Sequence, residues 1–279
     1  MAQTTYSGTS KLTAPLYENV SSMKTIIQIS DTHLMDSCDE QFVKIDPELS
    51  FHQVMNDILE QNHKIDMIIH TGDIAQVAKP QTYSRYLSYM ESLNIPFYQT
   101  PGNHDDLEIF PYPQNQPISF IHLDQWCIIL LNSAVSGRID GYIDKHQLQT
   151  LEELLQTHSN LHTIIGCHHH PVPMKSEWID EHCLKNGNEL IEILKNYPQV
   201  KGVINGHVHQ ETDVTLHQIR FLSVPSTSIQ FKPKSKDFAL DTIEPGYRCL
   251  YLHDNGHFET QVHRLDEHPH QINENISGY

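Results

Sequence analysis

Five loops constrain what this chain can fold into. The runs TIIQIS, DMIIHT, IPFYQT, HTIIG and VKGVIN are short, apolar and rich in β-branched residues, which is the composition of buried strands. Each leads at once into a loop that carries Asp, Asn or His: DTHL, GDIAQ, PGNHDD, CHHHP and GHVHQ. In open α/β sheets ligands bind just beyond the carboxyl ends of the strands, so these five loops can converge on one spot although they lie far apart in the chain. WCIILLNS and IRFLSVP read as two further buried strands, and the amphipathic stretches between the runs make the class α/β. Ser50 with Gln53 forms a capping box ahead of Val54, Ile58 and Leu59, and Asp144 with Gln147 forms another ahead of Leu148, Leu151 and Leu155. Near the end, RCLYLHDNGHFETQVHRL is two alternating runs joined by Asn255-Gly256, a pair suited to a tight hairpin, so an antiparallel edge closes the domain.

A chain of 279 residues can bury a sizeable core without disulfides, and no internal repeat or low-complexity run divides it. The reading is a single domain over residues 23–265, with a flexible lead-in at 1–22 and a polar tail at 266–279. The lead-in lacks the apolar core of a signal peptide, and no stretch reaches the ~18 apolar residues of a membrane span. Cys38, Cys127, Cys167, Cys183 and Cys249 are odd in number and form no C-x-x-C pair, which argues against a disulfide framework or a zinc ribbon and for a reducing cytoplasm. With 18 Lys+Arg against 35 Asp+Glu, the formal charge of −17 repels phosphate backbones and anionic membranes, so a small-molecule ligand is expected and nucleic acid is not. Either a monomer or a homodimer is compatible with this. Histidine is the outlying residue at 21 copies, and isolated ones such as His63, His158 and His217 read as surface or core residues.

Asp31 and His33 are two apart, which in an extended segment puts both side chains on one face, and His207 and His209 repeat the spacing. Asp73 and Asn103 each lie beside a glycine that lets backbone approach closely. Six oxygen and nitrogen donors without a thiolate suit iron, manganese, zinc or cobalt, and two ions fit that count better than one.

DTHL, GDIA, GNHD, HHHP and GHVH, in this order, resemble the D-x-H, GD, GNH[DE], H and GH-x-H pattern of the calcineurin-like metallophosphoesterases. SEWIDEHCLKNGNEL, PSTSIQFKP and DFALDTIEPGYR further resemble the class III cyclic-AMP phosphodiesterases of bacteria within that superfamily. The resemblance implies a four-layer αββα sandwich of two mixed sheets flanked by helices, and two metal ions, iron or manganese foremost. It assigns Asp31, His33, Asp73 and His209 to the first ion, and Asp73, Asn103, His207 and one residue of His168-His169-His170 to the second, with Asp73 bridging. A hydroxide shared by the two ions is then the nucleophile. His104 is implied as the group that touches the phosphate and protonates the departing alkoxide, with Asp105 fixing its tautomer, and His33, Asn103, His104 and His209 are placed at the substrate.

If HTIIGCHHH stays extended, His168 and His170 point one way and His169 the other. The family's H-x-P pattern, set against Pro171, selects His169, with His168 as the alternative and His170 left to a supporting role. The implied activity is hydrolysis of 3',5'-cyclic AMP to AMP. The alternatives are another phosphodiester, such as a 2',3'-cyclic nucleotide or a glycerophosphodiester, or a non-enzymatic cyclic-nucleotide or metal sensor. Trp178 is available either to stack on a purine or to fill the core, and Lys232, Lys234 and Lys236 read as a solvated loop able to attract an anion.

Overall fold

The structure is a computed structural model and describes residues 23–112 and 116–267; the expected lead-in, and the expected tail beyond Glu267, lie outside these. All seven expected strands form: β1 (Met23–Ile29), β2 (Met67–His70), β3 (Phe97–Gln99), β5 (Trp126–Leu130), β6 (His162–Cys167), β7 (Val200–Asn205) and β9 (Ile219–Ser223). The terminal hairpin is β12 (Gly246–His253) and β13 (Phe258–Arg264), turned by Gly256 at φ 84° as its Asn-Gly pair requires. Four strands were not expected: β4 (Ser119–Leu123), β8 (Thr212–Leu216), β10 (Gln230–Phe231) and β11 (Leu240–Asp241). The first two are edge strands, and β8 is largely exposed, so neither has the apolar continuity that marks a buried strand.

One sheet has the order β13-β12-β1-β2-β3, parallel across β1, β2 and β3, with the hairpin antiparallel at its edge. The other has the order β4-β5-β6-β7-β9-β8, parallel from β5 to β9 and antiparallel at both ends. Alternation along the strands sorts their side chains. Ile26, Ile69, Ile128, Ile164, Leu222 and Leu250 meet between the sheets. Ile27, Ile29 and Ile68 face outward onto Phe51 and Val54 of α1 (Pro47–Gln61) and onto Tyr83, Tyr86 and Met90 of α2 (Pro80–Ser92). On the other side, Ile129, Ile165 and Val203 pack on Leu148 and Leu151 of α3 (Lys145–Thr157) and on Leu190 and Leu194 of α5 (Gly187–Leu194). These are the four expected layers. A short α4 (Glu177–Asp180) lies in the insertion after the histidine loop.

The Asp144 cap forms as expected, its side chain accepting from the Gln147 amide at 3.0 Å. The start expected for α1 at Ser50 is corrected. The helix begins four residues earlier, where Asp46 is the cap and accepts from the Leu49 amide at 2.9 Å and Pro47, with its φ already helical, occupies the first position. Ser50 is buried inside the helix and donates to the Thr227 carbonyl at 2.7 Å. Asp46→Ala is therefore expected to lower stability by about 1 kcal/mol, read as a lower urea midpoint, while Gln53→Ala stays near neutral.

Candidate metal centre

Backbone hydrogen bonds zip the first two loops together: the Asp31 amide donates to the Gly72 carbonyl at 2.9 Å, His33 to Asp73 at 3.1 Å and Leu34 to Ile74 at 2.9 Å. Asp31, His33, Asp73, His207 and His209 all have positive φ, between 48° and 69°. The extended geometry expected around Asp31-x-His33 and His207-x-His209 is thus replaced by left-handed turns. Non-glycine residues hold such conformations at a cost on the order of 1 kcal/mol each, which the surrounding contacts must outweigh. The His207 amide donates to both Asp31 oxygens, at 3.2 and 3.1 Å, and so ties the GHVH loop to the DTHL loop. Gly102 lies so close to the Asp73 carboxylate that a Cβ there would overlap it, and this lets the His104 amide reach Asp73 Oδ1 at 2.8 Å.

The side chains so gathered are buried and face one another. The Nε2 atoms of His33 and His209 are 3.2 Å apart, and His209 Nε2 is 3.2 Å from Asp31 Oδ1. Asp73 Oδ2 lies 3.9 Å from His33 Nε2 and 3.3 Å from His168 Nε2, so one carboxylate oxygen looks toward both groups. Asn103 Oδ1 is 3.2 Å from His168 Nε2. Ligand atoms of Asp31, His33 and His209, of Asp31, Asp73 and His168, of His33, Asp73 and His104, and of His168, His169 and His207 lie within 4.8 Å of one another in each group.

Tautomers follow from the acceptors behind the rings. Nδ1 of His33 meets Gln76 Oε1 at 2.7 Å, Nδ1 of His209 meets the Ile229 carbonyl at 2.8 Å, and Nδ1 of His168 meets the Thr71 carbonyl at 2.7 Å. An oxygen acceptor holds the proton on Nδ1, which leaves each Nε2 with a lone pair turned inward. Lone pairs and carboxylates facing each other at such distances fit a cation, and the donor set of imidazole, carboxylate and amide is one that divalent transition metals accept. His209 is also stacked on Phe231, ring centroids 3.9 Å apart.

The three consecutive histidines are all buried but differ in their partners. Both nitrogens of the His169 ring are engaged, Nδ1 by Ser133 Oγ at 2.8 Å and Nε2 by the Ile139 carbonyl at 3.0 Å. His168 presents Nε2 to Asp73 and Asn103, contrary to the register that Pro171 suggests. Strand β6 ends at Cys167, so alternation no longer governs where these rings point. His170 donates from Nε2 to the Asp180 carboxylate at 3.2 Å and stacks on His207, whose buried Nε2 has no hydrogen-bond partner.

Burial opposes charge on Asp31 and Asp73, yet His209 holds Asp31 low and His168 and His104 hold Asp73 well below the usual carboxylate range. Burial likewise pushes His33 down to about 3 and His207 well below its ordinary value. His168 is the exception: burial opposes its charge, but Asp73, Asp31 and the Thr71 carbonyl lift it to about 9. In the metal-free protein the His168 ring therefore carries a second proton, on Nε2 facing Asp73, which a metal ion would displace. Asp105 is pushed up to about 7 by burial and by the charge of Asp73. Its oxygens each accept two bonds, from the amides of Ile74 and Gly102 and from the Ala75 amide and Tyr83 hydroxyl. That fills its acceptor capacity and clamps the GDIA loop to the GNHD loop.

A cavity of about 220 Å³ opens beside the cluster, lined by Asn103, His104 and His207 together with Ile139, Trp178, Ile179, His182 and Phe238. Trp178 is half-buried, set edge-on to Phe231 and Phe238, so it borders the cavity while packing on the core. Lys232, Lys234 and Lys236 are exposed, as are His63 and His217, and His158 stacks on Phe120. Sequence reasoning missed Gln76, Ser133, Tyr83, Phe231 and Phe238. Gln76 was in view in GDIAQ, but nothing in the sequence marked it as the partner of His33.

A family model described as calcineurin-like phosphoesterase matches residues 24–211, more than half of the chain. The chain is a calcineurin-like phosphoesterase. Proteins named 3',5'-cyclic adenosine monophosphate phosphodiesterase CpdA are similar to this phosphoesterase over most of its length. That of Vibrio vulnificus is 39% identical, covering 86% of this chain and 89% of its own, and that of Escherichia coli K12 is 38% identical, covering 91% and 94%. Solved structures share the fold: a purple acid phosphatase from yellow lupin, with TM-score 0.60 and 14% identity over 87% of this chain and 54% of that one, and a dimetal phosphatase from Danio rerio, with TM-score 0.55 and 15% identity over 85% and 98%. A dinuclear metal site belongs to this hydrolase family, and the Asp and His clusters supply donors for one. No helix among the described residues is long and apolar enough to cross a membrane.

The raised His168 has a consequence for the metal-free phosphoesterase. The folded state keeps this proton to about pH 9 whereas an unfolded histidine loses it near 6.5, so the contribution is complete below pH ~6.5 and is lost as pH rises toward 9. Thermal unfolding in chelator is expected to show stability falling over that window by on the order of 2–3 kcal/mol, with the slope flattened in His168→Asn.

Proposed function

We propose that this phosphoesterase hydrolyses 3',5'-cyclic AMP to AMP, and so lowers a second messenger; the similar proteins named above are 3',5'-cyclic adenosine monophosphate phosphodiesterases. The observation that carries the reading is the cavity, whose lining joins Asn103, His104 and His207 of the cluster to the apolar side chains Ile139, Trp178, Ile179 and Phe238, with His182 among them. A cyclic nucleotide divides in the same way, into a charged diester and a flat base. Trp178 is the side chain for the base to lie against.

In this reading Asp31, His33, Asp73 and His209 hold one ion, and Asp73, Asn103, His168 and His207 hold the other, with Asp73 shared. His168 is preferred to His169 because its Nδ1 is satisfied by the Thr71 carbonyl and its Nε2 faces Asp73, while both nitrogens of His169 are already engaged. Iron or manganese suits these donors, with zinc or cobalt as other candidates. When bound, two cations supply Lewis-acid stabilisation of the phosphoryl oxygens and make water more acidic.

The chain's own groups do the rest. Asn103 and His104, which line the cavity, orient the diester, and Trp178 with Phe238 covers the base. Water adds to phosphorus opposite the 3' oxygen and releases one proton to solvent, the bond from phosphorus to that oxygen breaks, and His104 gives the departing oxygen a proton that it regains from solvent. General-acid assistance of this kind contributes ~10²–10⁴-fold. Asp105, its acceptor positions filled, positions the loop that carries Asn103 and His104 and is not assigned the tautomer-fixing role. The five free cysteines fit a reducing, cytoplasmic setting.

Protein reconstituted with manganese or iron is expected to convert 3',5'-cyclic AMP to AMP in preference to 2',3'-cyclic AMP and bis(p-nitrophenyl) phosphate, and to lose activity to a chelator. Cleavage of the activated ester alone would sink the substrate assignment while leaving the metal core intact. Among variants, His168→Ala and Asn103→Ala are expected to lose one ion and most turnover. His169→Ala keeps two ions, and His104→Ala keeps two ions but loses ~10²–10⁴-fold in kcat. Metal analysis beside steady-state kinetics checks each, and two ions in His168→Ala would overturn its assignment.

A further inference from the structure

We infer a further cation site, on the surface and far from the catalytic cluster, built from His253, His257 and Glu259. One ligand atom from each of the three lies within 4.8 Å of the others. Glu259 Oε1 is 3.1 Å from His253 Nε2 and 3.9 Å from His257 Nε2, and the two imidazoles are stacked with centroids 5.5 Å apart. Both rings therefore turn toward the same carboxylate oxygen. The carboxylate oxygen and the two Nε2 atoms are the three donor atoms a cation would take here.

The hairpin explains why the three meet. Leu252 and Phe258 pair across the ribbon and point into the core between the sheets, so His253, His257 and Glu259, each one residue away, point to the opposite face. The backbone that carries them is pinned. The His253 amide donates to the His257 carbonyl at 2.9 Å, and the His253 carbonyl accepts from the Gly256 amide at 3.0 Å and from Trp126 Nε1 at 2.8 Å. The His257 amide donates to Asn255 Oδ1 at 3.0 Å. Little ordering is left for a cation to impose, which favours binding.

Two imidazole nitrogens and one carboxylate oxygen, with no thiolate, select a borderline divalent transition ion such as copper, nickel or zinc over magnesium or calcium. The His257 and Glu259 side chains are 64% and 63% exposed and His253 is 25% exposed, so the ion enters directly from solvent and keeps water in its remaining positions. The site is at the far end of the sheet from the catalytic loops. His253 pairs with Met23, the first residue of β1, whereas Asp31 follows the last, so the two sites are separated by a strand of seven residues, ~20 Å. An ion here cross-links the two arms of the hairpin that closes the sheet edge, and by linkage it stabilises the folded chain without entering the hydrolytic chemistry.

The test uses zinc-reconstituted protein, whose catalytic ions are diamagnetic, titrated with Cu²⁺ and followed by low-temperature electron paramagnetic resonance. The expected result is one tight equivalent of copper with hyperfine coupling to two imidazole nitrogens. In the His253→Ala/His257→Ala double variant that equivalent weakens at least tenfold, while cleavage of bis(p-nitrophenyl) phosphate is unchanged. His257→Ala alone, at the most exposed of the three side chains, gives the same weakening without disturbing the packing of the hairpin. An unchanged affinity and nitrogen count in these variants overturns the proposal, because the copper is then held by other histidines.

Discussion

The catalytic end of this protein depends on electron pairs aimed at one another. His33 and His209 bring their Nε2 atoms to 3.2 Å, Asp31 approaches His209 as closely, and Asp73 looks from one oxygen toward His33 and His168. Groups of this kind repel in a buried site unless positive charge lies between them. The left-handed turns at Asp31, His33, Asp73, His207 and His209, the glycine pressed against Asp73, and the acceptors behind three of the rings all serve to hold that arrangement.

The layers of the fold make the arrangement affordable. Parallel strands at the centre of each sheet end on the same side, so loops remote in sequence become neighbours without any long excursion. Cores between the sheets and beneath the helices on both outer faces bury the central strands, and that rigidity supports the strained loops. The insertion after the histidine loop is tied to the same frame. Asp180 accepts from the Met174 and Lys175 amides and meets His170, which stacks on His207, so the wall that carries Trp178 is connected to a proposed ligand.

Much of this was legible beforehand because buried strands announce themselves. Ile26, Ile69, Ile128 and Ile164 belong to runs too apolar to be anything else, and each run stops where its loop begins. Strand β8, with an exposed face and two threonines, carries no such signal and exists because β9 offers it an edge. The start of α1 was misread for a related reason. Ser50 and Gln53 match a capping pattern, yet Asp46 with Pro47 matches another, and the choice falls to the packing that buries Ser50 against the Thr227 carbonyl. Trp178 packs on Phe231 and Phe238, as its core reading expected, and also borders the cavity.

The sequence by itself determined which donors exist, their order along the chain and the strand ends that deliver them, because hydrophobic periodicity and residue chemistry are local properties. It could not determine which ring nitrogen faces inward, which of three adjacent histidines is turned toward Asp73 and Asn103, or that Asp105 clamps two loops. Those depend on the Thr71 and Ile139 carbonyls, Ser133 and Tyr83, residues far away in the chain that come within hydrogen-bond range only after the sheets have packed.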